Sequence, residues 1–117
     1  MSDFFISLNI LAEEVHRQSS MAGWWDTPES SNIPTKLLLI HSEISEAAEG
    51  FRSNLQDTHL PHRKMIEVEL ADALIRILDL AVKLEFDSGS AVKEKLAYNQ
   101  LREDHKITVR NAGGKRF

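Results

Sequence analysis

The stretch from Met65 to Leu84, MIEVELADALIRILDLAVKL, constrains the fold of this chain more than any other part of it. Fourteen of its twenty residues are apolar and none is Gly or Pro, which predicts a long helix. Because apolar residues surround most of this helix, other helices must cover it on most sides. We therefore expect an all-α four-helix bundle in which this third helix is central and forms the oligomer contact.

The charged residues of the same stretch lie on one side of the helix. Five of the six recur at intervals of three and four and fall within an arc of about 80°; they are Glu69, Asp72, Arg76, Asp79 and Lys83. This polar stripe indicates that one side of a mostly apolar helix faces something other than lipid or the core. Six charges in twenty residues also exclude a membrane span.

Length and charge limit the possible functions. A chain of 117 residues fits one domain, which we place at residues 1–104, followed by a basic tail at 105–117. A net charge of −4 disfavours a nucleic-acid partner. The chain lacks cysteine, so a thiolate metal site is excluded, and its start does not resemble a signal peptide. We expect a cytoplasmic protein without a membrane partner.

Three further helices are predicted by apolar spacing. The first fades after Arg17, the second begins at Pro34, and the fourth is capped by Asp87, Ser88 or Ser90. Their apolar positions include Phe4, Leu8, Leu11 and Val15, then Leu37, Ile40, Ile44 and Phe51, and finally Val92, Leu96 and Leu101. Between the first two helices, residues 19–35 are expected to form a long loop.

Two adjacent tryptophans, Trp24 and Trp25, lie in this loop. A planar ring on a loop is a suitable platform for stacking a nucleobase. The alternative is that both rings cap the core of the bundle.

Histidines offer weaker candidates for metal binding. Glu13 and His16 form an ExxH pair like those of di-iron bundles, but such proteins need two pairs and this chain has one. His59 and His62 share a loop without a third ligand nearby, so a solvated loop is the simpler interpretation.

Two pairs of carboxylates are the strongest chemical feature. Glu43 and Glu46 on the second helix, like Glu69 and Asp72 on the third, are three residues apart and share a helix face. Four facing carboxylates would repel one another unless a cation lay between them, and an all-oxygen ligand set suits Mg²⁺. Such a cation could bridge a triphosphate and activate a water molecule.

A plainer interpretation of these carboxylates is also open. Asp72 could pair with Arg76, and Asp79 with Lys83, each at i, i+4, while the glutamates of the second helix face solvent. Acidic residues one turn apart are common on helices, so spacing alone favours this interpretation.

The combination of 43-EISE-46, a gap of twenty-two residues and 69-ELAD-72 resembles the ExxE…ExxD signature of the MazG-like nucleotide pyrophosphohydrolases. This all-α superfamily includes the dimeric dUTPases and the HisE-type phosphoribosyl-ATP pyrophosphatases. The similarity extends through LLLIHSEISEAAEGFR, the GWWD loop, the KLAYN segment and the GGKRF terminus, about four-fifths of the chain.

The resemblance implies a metal-dependent enzyme that converts a (d)NTP to (d)NMP and pyrophosphate, in nucleotide-pool house-cleaning. The motif positions make Glu43, Glu46, Glu69 and Asp72 the ligands of Mg²⁺, or of Mn²⁺. Because Glu is one methylene longer than Asp, we expect Glu43 or Glu46 also to take the proton from the attacking water. The competing hypothesis is a non-catalytic helical dimer that binds a nucleotide or a partner protein.

The resemblance also assigns substrate contacts to the fourth helix. Lys95, Asn99 and Arg102 follow at i, i+4 and i+7 and resemble the KxxxN region that binds phosphate or nucleotide. Beyond Asn99 the chain reads QLREDHKITVRNAGG instead of an RPYKHG-like run. Phosphate roles therefore do not carry over to the basic residues of the tail, Arg110, Lys115 and Arg116.

Apolar residues around the third helix predict self-association. Three short helices cannot bury all of them, so we expect a homodimer or homotetramer. These residues are Ile66, Leu70, Ala73, Ile77, Leu80 and Leu84.

Overall fold

The computed structural model describes residues 2–102 and 106–114, and these residues confirm the all-α prediction. The described residues form five α-helices in order: α1 (Ser2–Met21), α2 (Ile33–Arg52), α3 (Met65–Lys83), α4 (Ser88–Leu101) and α5 (Ile107–Asn111). A short 3-10 helix, Pro28–Ser31, precedes α2. Within the described residues no strand forms, although Gln56 and Lys64 make an isolated antiparallel bridge.

The chain divides into two compact units. One is formed by the described residues up to Asn9 together with those from Asp87 onwards, and the other is Ile10–Phe86. The second unit contains α2, α3 and the last three turns of α1. The predicted boundary between the helical domain and the basic tail, at residue 104, lies outside the described residues.

Helix α1 is longer than its apolar spacing predicted. It continues past Arg17 to Met21, so the predicted loop 19–35 is confined to residues 22–32 and includes the 3-10 helix. Ser19 stays helical and donates a 2.7 Å hydrogen bond from its hydroxyl to Asp79 of α3. The helix ends where Gly23 adopts a φ of +86°, a left-handed conformation typical of helix C-termini.

Helices α2 and α3 pack against each other and form the frame of the second unit. Asn32 caps α2 by accepting a 3.0 Å hydrogen bond from the Thr35 N–H, and Pro34 lies in the first turn as predicted. Near the end of α2, a Cβ placed on Gly50 would lie 2.8 Å from Cβ and Cγ of Met65. Glycine at this position therefore allows close approach of the two helices.

The start of α4 confirms the predicted cap. Asp87 accepts a 2.9 Å hydrogen bond from the Ser90 N–H. Asn9 supports this turn, since its side chain donates to Asp87 and accepts from the Gly89 N–H, each at 2.8 Å. In the predicted tail, residues 107–111 form α5, a short helix that the sequence pattern did not predict.

The buried core is small. Its apolar members are Ala12, Ala47, Ala73, Leu78 and Leu80, and no large described side chain is completely buried. Three leucine and isoleucine side chains of α3, spaced at i, i+4 and i+7, remain about half exposed: Leu70 (51%), Leu74 (47%) and Ile77 (46%). Within the described residues, the single chain therefore leaves much of its most apolar helix uncovered. No described helix combines the length and the apolar character that crossing a bilayer requires.

Candidate functional site

Three carboxylates from α2 and α3 meet where the two helices pack. Glu43 comes from α2, while Glu69 and Asp72 come from consecutive turns of α3. One oxygen from each lies within 4.8 Å of the others, and Glu43 and Glu69 are each only 9% exposed. An oxygen cluster of this size can hold a metal ion.

Glu69 is the member least satisfied by the protein itself. Its Oε2 is buried and has no hydrogen-bond partner among the residues that the structure describes. Burial, followed by the neighbouring Glu43 and Glu46 carboxylates, raises the pKa of Glu69 to about 8. A cation would therefore compete with a proton for this carboxylate at neutral pH.

The pKa values of the other two carboxylates, Glu43 and Asp72, shift in opposite directions. Burial raises the pKa of Glu43, but hydrogen bonds from Glu69 and Arg76 outweigh burial and leave that pKa below its ordinary value. Arg76 Nε donates to Glu43 Oε1 at 2.8 Å. Burial and the charge of Glu43 raise the pKa of Asp72, and Arg76 opposes this increase only in part. One guanidinium thus does not neutralise the whole cluster.

The two remaining glutamates of α2 differ from Glu43. Glu46, the fourth predicted ligand, is exposed and lies outside the three-carboxylate group, but it is close enough to contribute to the raised pKa of Glu69. Glu49 is engaged by Arg52, whose guanidinium donates to it at 2.6 and 2.9 Å. Glu46 is therefore the glutamate that borders the cluster without belonging to it.

Asp79, further along α3, contacts side chains of α1 and of the tryptophan-containing loop. It accepts hydrogen bonds from the Ser19 hydroxyl at 2.7 Å and from the Trp25 indole N–H at 3.0 Å, and His16 Nδ1 lies 2.7 Å from it. The plainer interpretation of the carboxylates pairs Asp79 with Lys83. In the structure the ammonium of Lys83 lies 5.5 Å from the Trp25 ring centroid instead. His16 is thus a structural partner of Asp79 and is not part of the carboxylate cluster.

A cavity of about 460 Å³ connects the tryptophans with the carboxylates. Trp24 and Trp25 line it together with Glu43 and Asp72. The other charged residues in its wall are Lys36, Arg76 and Asp79. The structure thus brings both predicted stacking residues and two of the predicted metal ligands to one cavity.

The two tryptophans are not equivalent. Trp25 is half-buried, its N–H is bound by Asp79, and the ammonium of Lys36 lies 4.3 Å from its ring centroid. Trp24 is 59% exposed and lines the same cavity. Trp25 therefore forms part of the fixed wall, whereas Trp24 presents accessible ring surface.

The loop between α2 and α3 contains a buried carboxylate that the motif does not include. Asp57, 7% exposed, accepts hydrogen bonds from the N–H groups of His59 and Leu60 at 3.0 and 2.7 Å. Its charge contributes to the raised pKa of Asp72. His59 and His62 belong to this loop, and neither is part of the carboxylate cluster.

The predicted phosphate contacts on α4 belong to the other compact unit. The ammonium of Lys95 lies 4.6 Å from the Tyr98 ring centroid. Arg102 follows the last residue of α4, and its guanidinium lies 3.5 Å from the Asn99 side-chain oxygen. In the tail, Arg110 lies on α5, whereas Lys115 and Arg116 are outside the described residues.

Lys36, Arg76 and Asp79 are site residues to which the sequence assigned no such role. Helical spacing contained a signal for all three. Lys36 precedes Glu43 by seven residues, and each of the other two follows Asp72 on α3, Arg76 by four residues and Asp79 by seven, so each shares a helix face with a cluster carboxylate. Their partners across the helix pair could not be derived from spacing, because spacing along one helix carries no information about the facing helix.

Comparison with known proteins returned no family model, curated protein or solved structure that matches this chain.

The raised pKa of Glu69 predicts a pH dependence of metal-free stability. Because the folded-state pKa of about 8 exceeds the ordinary value of 4.5, the folded state binds this proton more tightly than the unfolded state. The free energy of unfolding should therefore fall as pH rises from about 5 to about 8. Glu69→Gln should remove this component, so its melting temperature should decline less over the same range in EDTA.

The matched control is Glu67→Gln, because Glu67 lies on the same helix as Glu69 but is exposed and pairs with Arg63 of the preceding loop. Thermal denaturation followed by circular dichroism at several pH values measures all three proteins. If the wild type and Glu69→Gln lose stability equally between these pH values, Glu69 does not carry the raised pKa.

Proposed function

We propose that this chain is a Mg²⁺-dependent nucleotide pyrophosphohydrolase of the MazG-like type, which converts a (d)NTP to (d)NMP and pyrophosphate. The observation that supports this proposal is the cavity in which Trp24 shares a wall with Glu43 and Asp72. A nucleotide has the matching chemistry, an aromatic base joined to a polyphosphate that binds divalent cations. We also propose that the helices of this chain have the four-helix bundle arrangement of that family.

The donor set fits Mg²⁺. Glu43, Glu69 and Asp72 supply oxygen alone, and Mg²⁺ prefers oxygen ligands and retains sites for water and phosphate. The unpartnered Oε2 of Glu69 is a buried acceptor that such an ion would satisfy. Mn²⁺ accepts the same ligands and is the expected substitute.

Substrate would be oriented by the walls of the cavity. Trp24 would stack on the base, a contact worth about 1–3 kcal/mol. Trp25 would form a rigid part of the cavity wall, because its indole N–H is bound by Asp79. By resemblance, Lys95, Asn99 and Arg102 keep their proposed role as phosphate or nucleotide contacts.

Hydrolysis would break the anhydride bond between the α and β phosphates. Bound Mg²⁺ supplies charge neutralisation on the phosphate oxygens and activation of water. Glu46 borders the cluster and remains solvent-accessible, so it would accept the proton of the attacking water. Glu43 is buried beside Arg76, which favours the ligand role over the base role for that residue.

Product analysis tests the enzymatic proposal. With Mg²⁺ or Mn²⁺, a panel of common and damaged (d)NTPs should yield monophosphate and pyrophosphate from at least one member. Asp72→Asn should reduce kcat by at least about a hundredfold, which corresponds to roughly 2.7 kcal/mol of transition-state stabilisation. Glu67→Gln, on the same helix but outside the cluster, should retain activity.

Two results would contradict this proposal. The first is release of orthophosphate alone, and the second is the absence of turnover across the panel with either metal. If a nucleotide still binds without turnover, the chain is a non-catalytic nucleotide-binding protein, as in the competing hypothesis.

We further propose that a second copy of the chain covers the exposed side of α3, in a homodimer or homotetramer. Leu70, Leu74 and Ile77 repeat at i, i+4 and i+7 and are about half exposed. A single chain with no fully buried large side chain among its described residues has little core to support it alone. An isologous contact between two α3 helices would bury the same surface on both copies.

Light scattering after size exclusion at micromolar concentration should therefore give a mass of two or four chains. Leu74→Glu should shift this mass towards the monomer, because it places a charge in the buried contact. Leu60→Glu is the matched control, since Leu60 is similarly exposed (43%) but lies in the loop between α2 and α3. A compact wild-type monomer under these conditions would contradict the assembly.

A further inference from the structure

Arg76 occupies an unusual position between the metal-ligand candidates and the cavity. It follows Asp72 by one helical turn on α3, and its Nε donates to Glu43 Oε1 across the helix pair at 2.8 Å. Its side chain is 32% exposed and forms part of the cavity wall, whereas Glu43 is nearly buried. The guanidinium thus contacts a candidate metal ligand and also borders the space proposed for substrate.

A metal ion and Arg76 would compete for the charge of Glu43. A divalent cation bound by the three carboxylates would repel a guanidinium held within hydrogen-bond distance of one of them. A polyphosphate in the adjoining cavity would attract the same guanidinium, whose planar fork suits phosphate oxygens. The ion pair that Arg76 loses at Glu43 can therefore be replaced by an ion pair with the phosphates of the substrate.

Lys36 provides a second cation in the same wall. It stands two helical turns before Glu43 on α2 and lies with its ammonium over the Trp25 ring. The cation–π contact with Trp25 holds the ammonium of Lys36 at the cavity without an ion pair to the cluster.

We propose that Arg76 is an exchangeable counter-cation, which holds Glu43 in the metal-free protein and moves to the polyphosphate when metal occupies the carboxylates. Lys36 completes this anion-binding part of the cavity. The inference deepens the proposed function and rests on it. It adds two phosphate-binding residues that the motif does not contain.

Removing Arg76 should have opposite effects on the two ligands. In Arg76→Gln, Mn²⁺ alone should bind several-fold more tightly, because a competing cation is gone, as measured by electron paramagnetic resonance. Inorganic tripolyphosphate, added with Mg²⁺, should bind at least about tenfold more weakly by calorimetry, because an anion contact is lost. Tripolyphosphate serves as the probe because it does not depend on the base.

Arg52→Gln is the matched control. Arg52 pairs with Glu49 on α2 in an exposed ion pair and does not line the cavity, so neither affinity should change. A purely structural Arg76–Glu43 pair predicts instead that Arg76→Gln lowers the melting temperature and leaves both affinities unchanged or weakens both. That result would overturn the inference.

If Arg76→Gln alone folds poorly, the variants Glu43→Gln and Glu43→Gln/Arg76→Gln provide an independent test. Glu43→Gln releases Arg76, so metal-free binding of tripolyphosphate should strengthen several-fold. In the Glu43→Gln/Arg76→Gln background this gain should disappear. A gain that persists without Arg76 comes only from the removed negative charge and would contradict the exchange.

Failure of the inference is distinguishable from failure of the proposed function. Wild-type protein that binds neither Mn²⁺ nor tripolyphosphate would overturn both. In a second case the wild type binds both ligands and hydrolyses a (d)NTP, but Arg76→Gln does not change the affinities for Mn²⁺ and tripolyphosphate in opposite directions. This result would overturn only the role of Arg76.

Discussion

Negative charge buried between two packed helices is the constraint on which this site depends. Glu43 and Glu69 are nearly buried, Asp72 adjoins them, and Asp57 adds its charge from the neighbouring loop. Repulsion of this kind destabilises a metal-free fold unless protons or cations compensate it. In the metal-free protein, the guanidinium of Arg76, which donates to Glu43, and a proton on Glu69, whose pKa burial raises to about 8, would provide that compensation.

Close packing of α2 and α3 keeps the carboxylates together despite their repulsion. Gly50 lets the helices approach where a methyl group would collide with Met65. The loop between them is stabilised by the hydrogen bonds of Asp57 and by the Gln56–Lys64 bridge, which fix the end of α2 relative to the start of α3. The scaffold therefore holds an arrangement of charges that would separate in a flexible chain, which is the preorganisation that metal binding needs.

The sequence predicted more of the fold than of the site. Apolar periodicity and caps located α2, α3 and α4, because Pro34 and Asp87 act through local contacts. It ended α1 too early, since the hydrogen bond from Ser19 to Asp79 stabilises that last turn across sixty residues of sequence. Motif spacing identified the three cluster carboxylates, yet the contact between Arg76 and Glu43 joins two helices and leaves no periodic signal.

The proposed metal site requires that a divalent cation displace the proton of Glu69 when it binds the three carboxylates. Calorimetric titration of the wild type with Mg²⁺ at about pH 7, in two buffers of different ionisation enthalpy, measures the protons released. We predict binding with release of about one proton per ion, because a pKa of about 8 leaves Glu69 mostly protonated at pH 7 before metal binds. Glu69→Gln should abolish this release. Binding without proton release, or no binding at all, would contradict the claim.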